Sequence, residues 1–488
     1  MNEIGFVDTT LRDGALSLWA QNMTTGMMLP VIEHFDRAGY EAIELFSGSF
    51  FKKMVRELKN DPWERMRLVA ERVQNTPLRM MVSRINTFNY DPPSMFRLFL
   101  KLSAQNGIRE VRILDPWNDY AGFERRVEIA HQCGLATVLS VTFSISPRHT
   151  DEYFAERVRQ AASLPIHRLC LKDPGGLLTP ERMRTIVPVF LENSNGIDIE
   201  LHTHCSTGLG PLCALEAIKL GIKWVDTAIP PLANASSNPS VFNVAANARA
   251  MGYQPRIDEE VLRPISEHFT NIARREGFAI GAPVEYDHSQ YLHQVPGGMI
   301  SNLKHQLGLV GLRDKLQETL EETIRVRAEL GYPIMVTPLS QFVGTQAAIN
   351  VIVGERYKEI TDQVIEYALG RYGEEATTAM DPDVRDMILD RPRARELAKR
   401  EQPDVSLDEM RRTYGGPGVS DEDLLLRWLT SKEEVDAMHA AGPPTEYLTA
   451  RQPLLTLVEA LAKRTDCGRI QVRKPGYSLT LGKSNGPR

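Results

Sequence analysis

Eight short apolar runs, each followed by a longer stretch or loop of mixed polarity, fill the first 240 residues of this chain. They fall at 6–9, 41–46, 78–84, 110–115, 137–144, 167–173, 198–205 and 224–229. Runs of this length read as strands, and the intervening segments 28–38, 93–104, 152–162, 180–191 and 211–220 carry helix-like amphipathic patterns. Thr179-Pro180 marks a helix start, a capping hydroxyl followed by proline at the first helical position. Strands alternating with helices imply parallel βα units. Eight of them close into a (β/α)8 TIM barrel, an α/β fold whose chemistry sits at the carboxyl ends of the strands. An open doubly wound sheet would need a Gly-rich phosphate turn after the first strand. Here that turn reads Leu11-Arg12-Asp13-Gly14-Ala15, without the fingerprint.

From about residue 255 the texture changes to longer charged helices, broken at Val295-Pro296-Gly297-Gly298-Met299 and at Gly415-Gly416-Pro417-Gly418. The stretch 380–432 is highly charged and reads as solvated helical surface. The last segment reads as a helix over 454–462 and then a hairpin, Ile470-Gln471-Val472 against 477–481 across Lys474-Pro475-Gly476. These shifts divide the chain into a barrel over 1–290, a mainly helical funnel over 291–440 and a small helix-hairpin extension over 441–488. The extension is either a docking surface for a carrier or partner, or a packing element.

Composition narrows the function classes. Of 488 residues 42% are hydrophobic, ample for a large core, and the net charge of -6 comes without any basic tract. Nucleic acid and membrane surfaces therefore have no support as partners. No apolar run approaches the length of a membrane span, and the first residues lack a signal-peptide pattern. Five scattered cysteines without a CxxC pair fit a reducing compartment, so a cytoplasmic location is expected.

Four groups with chemical potential fall at strand ends. Asp13 follows the first strand, Lys172 ends the sixth, and His202 and His204 end the seventh. Side chains alternate along a strand, so His202 and His204 share a face. One carboxylate and two imidazoles suit a borderline divalent ion such as Zn²⁺, Mn²⁺ or Co²⁺. Cys205 faces away and reads as structural. Lys172 has two readings. Burial beside a cation would favour its neutral amine, which can take up CO₂ to become an anionic carbamate ligand; the other reading is a surface pair with Asp173. Arg84, at the end of the third strand, suits a substrate carboxylate or developing enolate, or an ion pair with Glu44 or Asp115. The loop after strand eight, Asn234-Ala235-Ser236-Ser237-Asn238-Pro239, carries hydroxyls able to relay a proton, though such residues also cap helices.

The chain resembles the carboxyltransferase domain of biotin-dependent carboxylases, in the group of the pyruvate carboxylase B subunit, the oxaloacetate decarboxylase alpha subunit and the transcarboxylase 5S subunit. The resemblance spans about residues 3 to 440. It rests on DTTLRDG from Asp8, NDPWERMR from Asn60, SPRHT from Ser146, KDPGGLLTP from Lys172, HTHCSTG from His202, QVPGGMISNL from Gln294 and PLSQFVGTQ from Pro338. It implies a helical funnel over the barrel mouth and a metal held by Asp13, His202, His204 and a carbamylated Lys172. Arg12, Arg84 and Ser17 would contact the substrate. Ser236 stands where the family has a threonine that shuttles a proton to and from the biotin ring nitrogen. The family usually continues its first motif with histidine and glutamine, and the glutamine contacts the oxoacid. Here Ala15 and Leu16 stand there, which implies a bulkier or less polar carboxyl acceptor. The lysine motif also departs, with Pro174-Gly175 where Met-Ala is usual.

No Met-Lys-Met motif occurs, so biotin is expected on a separate carrier chain, with a biotin carboxylase subunit as a further partner and a homodimer within the complex. Two rivals stand beside this reading. Aldol or Claisen enzymes similar to hydroxymethylglutaryl-CoA lyase and isopropylmalate synthase share the aspartate and histidine motifs but lack the lysine and QVPGGM. A non-catalytic scaffold subunit is the other.

Overall fold

The computed structural model describes residues 2–86, 90–120, 123–296, 300, 303–304, 307–308, 311–400, 404–416, 418–447, 461, 469–474 and 477–482. Eight parallel strands close on themselves: β1 (Glu3–Asp8), β2 (Ala42–Ser47), β3 (Leu78–Val82), β4 (Ile108–Leu114), β5 (Ala136–Thr142), β6 (Arg168–Asp173), β7 (Ile199–Thr203) and β8 (Trp224–Thr227). Each pairs with the next, and β1 pairs with both β8 and β2, which completes the barrel. A two-residue strand β9 (Gln254–Pro255) lies beside β1. Covered by helices outside and filled with side chains inside, these strands are buried on both faces, which is why they read as near-continuous apolar runs.

The outer helices form where amphipathic segments meet good start signals. Thr179 accepts a hydrogen bond from the Arg182 N–H at 3.0 Å and Pro180 opens the helix Pro180–Asn193. The expected helix over 28–38 is two pieces, Thr25–Met28 and Ile32–Arg37. Pro30 sits between them; it has no N–H to donate and its ring crowds the preceding turn. Among the described residues no helix is long and apolar enough to cross a membrane.

Beyond the barrel, helices Leu316–Glu329 and Leu339–Val353 pack together. With Asp362–Ala368 they build a second core around Val326, Phe342 and Tyr367, to which the barrel contributes Trp117. The chain then returns to the barrel wall. Helices Asp421–Leu429 and Lys432–Ala440 bury Leu424, Leu425, Leu426, Leu429, Val435 and Met438 in the barrel's own hydrophobic cluster. Salt bridges Arg67–Glu422 (2.7 Å) and Arg56–Glu434 (3.0 Å) flank that contact. The charged stretch 380–432 is therefore not all solvated surface, because its leucine run needs a partner and finds one. At the end of the chain, β10 (Arg469–Lys474) and β11 (Tyr477–Gly482) pair antiparallel, as the alternation predicted. The expected helix over 454–462 lies outside the described residues except at position 461, as do Gly297, Gly298 and Met299 of the QVPGGM motif and Pro475-Gly476 of the turn.

Candidate metal centre

Asp13 is set by a wide helical turn, Thr10–Gly14, that begins two residues after β1 and turns the carboxylate over the barrel mouth. His202 projects from β7, and His204 follows directly where β7 ends. Their ligand atoms lie within 4.8 Å of one another and all three residues are buried. His202 Nε2 is 3.1 Å from Asp13 Oδ2, and His204 Nε2 is 3.2 Å from Asp13 Oδ1.

The protonation pattern at this cluster suits a cation. His202 Nδ1 lies 2.6 Å from Asp226 Oδ2, a geometry in which the imidazole donates and Nε2 keeps its lone pair. That lone pair faces a carboxylate oxygen, and neither His202 Nε2 nor His204 Nε2 has a hydrogen-bond partner. Lone pairs so arranged repel unless a cation lies among them. Burial raises the cost of charging Asp13, but the Arg12 guanidinium beside it outweighs that cost and holds its carboxyl well below the usual carboxylate range.

Lys172 sits on β6 in register with His202 on β7, 2% exposed, and its Nζ has no hydrogen-bond partner. Desolvation by burial first, then repulsion from Arg12, pushes its pKa down to about 8, against the pull of Asp13. The surface pair with Asp173 does not form. Asp173 is fully buried and its carboxylate accepts from the N–H groups of Leu177 (2.8 Å) and Leu178 (2.9 Å) and the Thr203 hydroxyl (3.0 Å). Its task is to hold the Gly-rich loop after β6.

The substrate candidates divide. Arg12 is buried with Nε on Glu44 at 2.7 Å, Nη2 also on Glu44, and Nη1 on Asp13 at 2.7 Å. Ser17 donates to Asp13 Oδ1 at 2.9 Å, and Ser236 donates to the Ser17 carbonyl at 3.0 Å. Ser236 is thereby one residue removed from the ligand cluster. Arg84 lies just past β3, stacked over the Tyr372 ring at 4.5 Å, with Nη2 donating to the Arg371 carbonyl at 3.2 Å. Among the described residues it makes no ion pair, so neither Glu44 nor Asp115 is its partner. Leu16 is 37% exposed, an apolar side chain near Ser17.

Sequence reasoning missed a set of charges beneath these groups. Glu44, Arg79, Arg112, Glu200 and Asp226 are all buried inside the barrel. Arg112 meets Glu44 (3.1 Å), Asp226 (2.8 Å) and Glu200, while Arg79 reaches Glu110 and Glu200, each at 2.9 Å. The signal was present in the alternation Glu110-Val111-Arg112 and Glu200-Leu201-His202, where one face of an otherwise apolar strand is ionic.

Fold and rim define a (β/α)8 barrel that gathers Asp13, Lys172, His202 and His204 at the carboxyl ends of β1, β6 and β7. The HMGL-like family matches residues 115–268, the half of the barrel that holds β5 to β8, and the conserved carboxylase domain matches residues 291–446. The pyruvate carboxylase B subunit of Methanocaldococcus jannaschii is 36% identical over 391 residues, which are 79% of this chain and 68% of that one. The methylmalonyl-CoA carboxyltransferase 5S subunit of Propionibacterium freudenreichii subsp. shermanii is 32% identical, covering 76% and 74%. The carboxyl transferase domain of Rhizobium etli pyruvate carboxylase, solved with oxamate and biotin, superposes with a TM-score of 0.81 at 22% identity, covering 90% of this chain and 78% of that one, and shares the fold. The chain belongs to the carboxyltransferase family of biotin-dependent carboxylases and is an enzyme. Members of this family work with biotin held on a carrier and with a carboxylase partner.

Proposed function

We propose that this chain moves a carboxyl group between carrier-bound biotin and the carbon next to the carbonyl of an oxoacid-like substrate, at a centre built by Asp13, His202, His204 and Lys172. The observation that carries the reading is the convergence of three buried ligand groups, two of them imidazoles whose Nε2 atoms lack hydrogen-bond partners, beside a buried, unpartnered lysine. The donor set, two imidazoles and a carboxylate, fits Zn²⁺, Mn²⁺ or Co²⁺. When bound, such an ion supplies Lewis acidity that polarises a carbonyl oxygen.

Lys172 completes the ligand set as a carbamate. Its neutral amine adds to CO₂, forming an N–C bond and releasing one proton. From ammonium to carbamate the residue loses two protons in all and goes from +1 to −1, a change equal and opposite to the charge a divalent ion brings, so the buried interior keeps its balance. Arg84 binds the substrate's acid group and offsets negative charge as it develops on the carbonyl oxygen. Stacking on Tyr372 occupies the face of its guanidinium and leaves the part of its edge not bonded to the Arg371 carbonyl to a carboxylate. Arg12 and Ser17 border the substrate while they hold Asp13. The Ser236 hydroxyl passes a proton to or from the biotin ring nitrogen, exchanging its present bond to Ser17 for that one. Leu16 faces the acceptor with an apolar surface, which favours a bulkier or less polar carbonyl acid than pyruvate. The chain acts in the cytoplasm as a homodimer, alongside a biotin carboxylase subunit and a carrier protein that brings biotin in.

A carboxyl-transfer assay with biotinylated carrier and a panel of oxoacids and ketones tests this. Transfer to at least one larger carbonyl acid, faster than to pyruvate, is the expected result. Equal rates on all acceptors would remove the role given to Leu16, and no transfer with fully metallated enzyme would remove the function.

A further inference from the structure

The ligands Asp13 and His202 come from segments that are not neighbours in the barrel, since β8 lies between β1 and β7. Yet a closed circuit of buried charges joins them. Asp13 meets Arg12 at 2.7 Å, Arg12 meets Glu44 at 2.7 Å, and Glu44 meets Arg112 at 3.1 Å. Arg112 meets Asp226 at 2.8 Å, Asp226 meets His202 Nδ1 at 2.6 Å, and His202 Nε2 faces Asp13 across the 3.1 Å that a bound ion would bridge. The circuit crosses the barrel interior through β2, β4 and β8, and every member is nearly inaccessible to water.

We propose that Glu44 and Asp226 are positioning residues for the metal centre and act as one unit through Arg112. Asp226 fixes the tautomer and rotation of His202, so that Nε2 presents its lone pair to the ion. Glu44 has no ligand of its own to orient. It fixes Arg12 from one side and Arg112 from the other, and so sets where Asp13 and Asp226 stand relative to each other. In an interior of low polarity, breaking the circuit at one carboxylate leaves an arginine to seek another partner, and the remaining members move with it. This inference rests on the metal-centre reading given above, and the test separates the two.

Co²⁺ titration of the full chain, read by its ligand-field absorption, comes first. The wild-type protein is expected to bind one ion per chain; no binding would overturn the centre and this inference together. Asp226→Asn and Glu44→Gln are each expected to weaken Co²⁺ binding about 10–100-fold and to shift the absorption band. The double variant is expected to lose clearly less than the product of the two effects, because both act through Arg112. Wild-type affinity in either folded variant, or losses that simply multiply, would overturn the unit while leaving the centre intact. A measurement without any substitution stands beside these: ¹⁵N NMR of the imidazoles in the metal-free native protein. His202 is expected as the tautomer protonated at Nδ1, and the opposite tautomer would overturn the role of Asp226.

Discussion

In the proposed function, Lys172 is the residue on which the chemistry turns. An ammonium there would face Arg12 and a divalent ion without a hydrogen-bond partner; as a carbamate it would share in holding the ion. Lys172→Ala is therefore expected to lose metal and to drop carboxyl transfer by roughly 100-fold or more, measured by metal analysis and the transfer assay. Full activity in that variant would remove the carbamate. The direction of its pKa gives a second expectation. With a value near 8, the neutral amine that CO₂ requires becomes common as pH rises from about 7 to about 9. Activation of metal-free enzyme by bicarbonate and metal should rise over that window; a flat profile would contradict it. The sign for stability follows from the same shift. The unfolded chain, with a lysine near 10.5, binds the proton more tightly than the folded one. The cost of this lysine to the metal-free fold is thus present in full below about pH 8 and relieved as pH climbs toward 10.5.

Among the elements, the loop after β6 shows how backbone geometry serves the ligands. Gly176 adopts a positive φ of 65°, and a Cβ there would sit 2.9 Å from the His204 carbonyl and 3.0 Å from the Ser206 nitrogen. Gly176→Ala is expected to destabilise the fold by about 1–3 kcal/mol and to loosen the metal, read by urea denaturation and Co²⁺ titration. An alanine variant with wild-type stability would show that the loop yields freely. Much at this scale was legible in the sequence. Each of the eight strands lies within a few residues of its expected place, because a strand covered on both faces is mostly apolar. Asp13, His202 and His204 were legible because strand ends in a barrel converge. Glu44 and Asp226 were not, since an isolated charge in a strand reads equally well as an outward-facing residue, and the alternation at Glu110-Val111-Arg112 marks an ionic face without naming its partners. Only closure of the barrel sets them against one another. The broken helix at Pro30 was legible in principle, as proline was there to be read.

For the molecule as a whole, several contacts tie the helical unit to the barrel. Arg148 and Arg157 of the barrel both pair with Glu375, and Arg84 stacks on Tyr372. With Arg84 in its proposed role at the substrate's acid group, the stack brings the second unit into the substrate site. Tyr372→Ala is expected to raise KM for the acid acceptor about 2–30-fold while metal content stays unchanged. Unchanged KM would place Arg84 outside substrate binding. The return of the chain to the barrel wall carries its own expectation. Leu425 is fully buried in the barrel's cluster, so Leu425→Ala should cost about 2–5 kcal/mol of unfolding free energy. A cost below about 0.5 kcal/mol would mean that the terminal helices merely lean on the surface.

Anomalous X-ray scattering from a crystal grown with divalent metal and bicarbonate tests the centre most directly. A single ion is expected among Asp13, His202 and His204, with density for a carboxyl group continuing from Lys172 Nζ. An ion elsewhere, or a bare lysine beside a filled site, would contradict it.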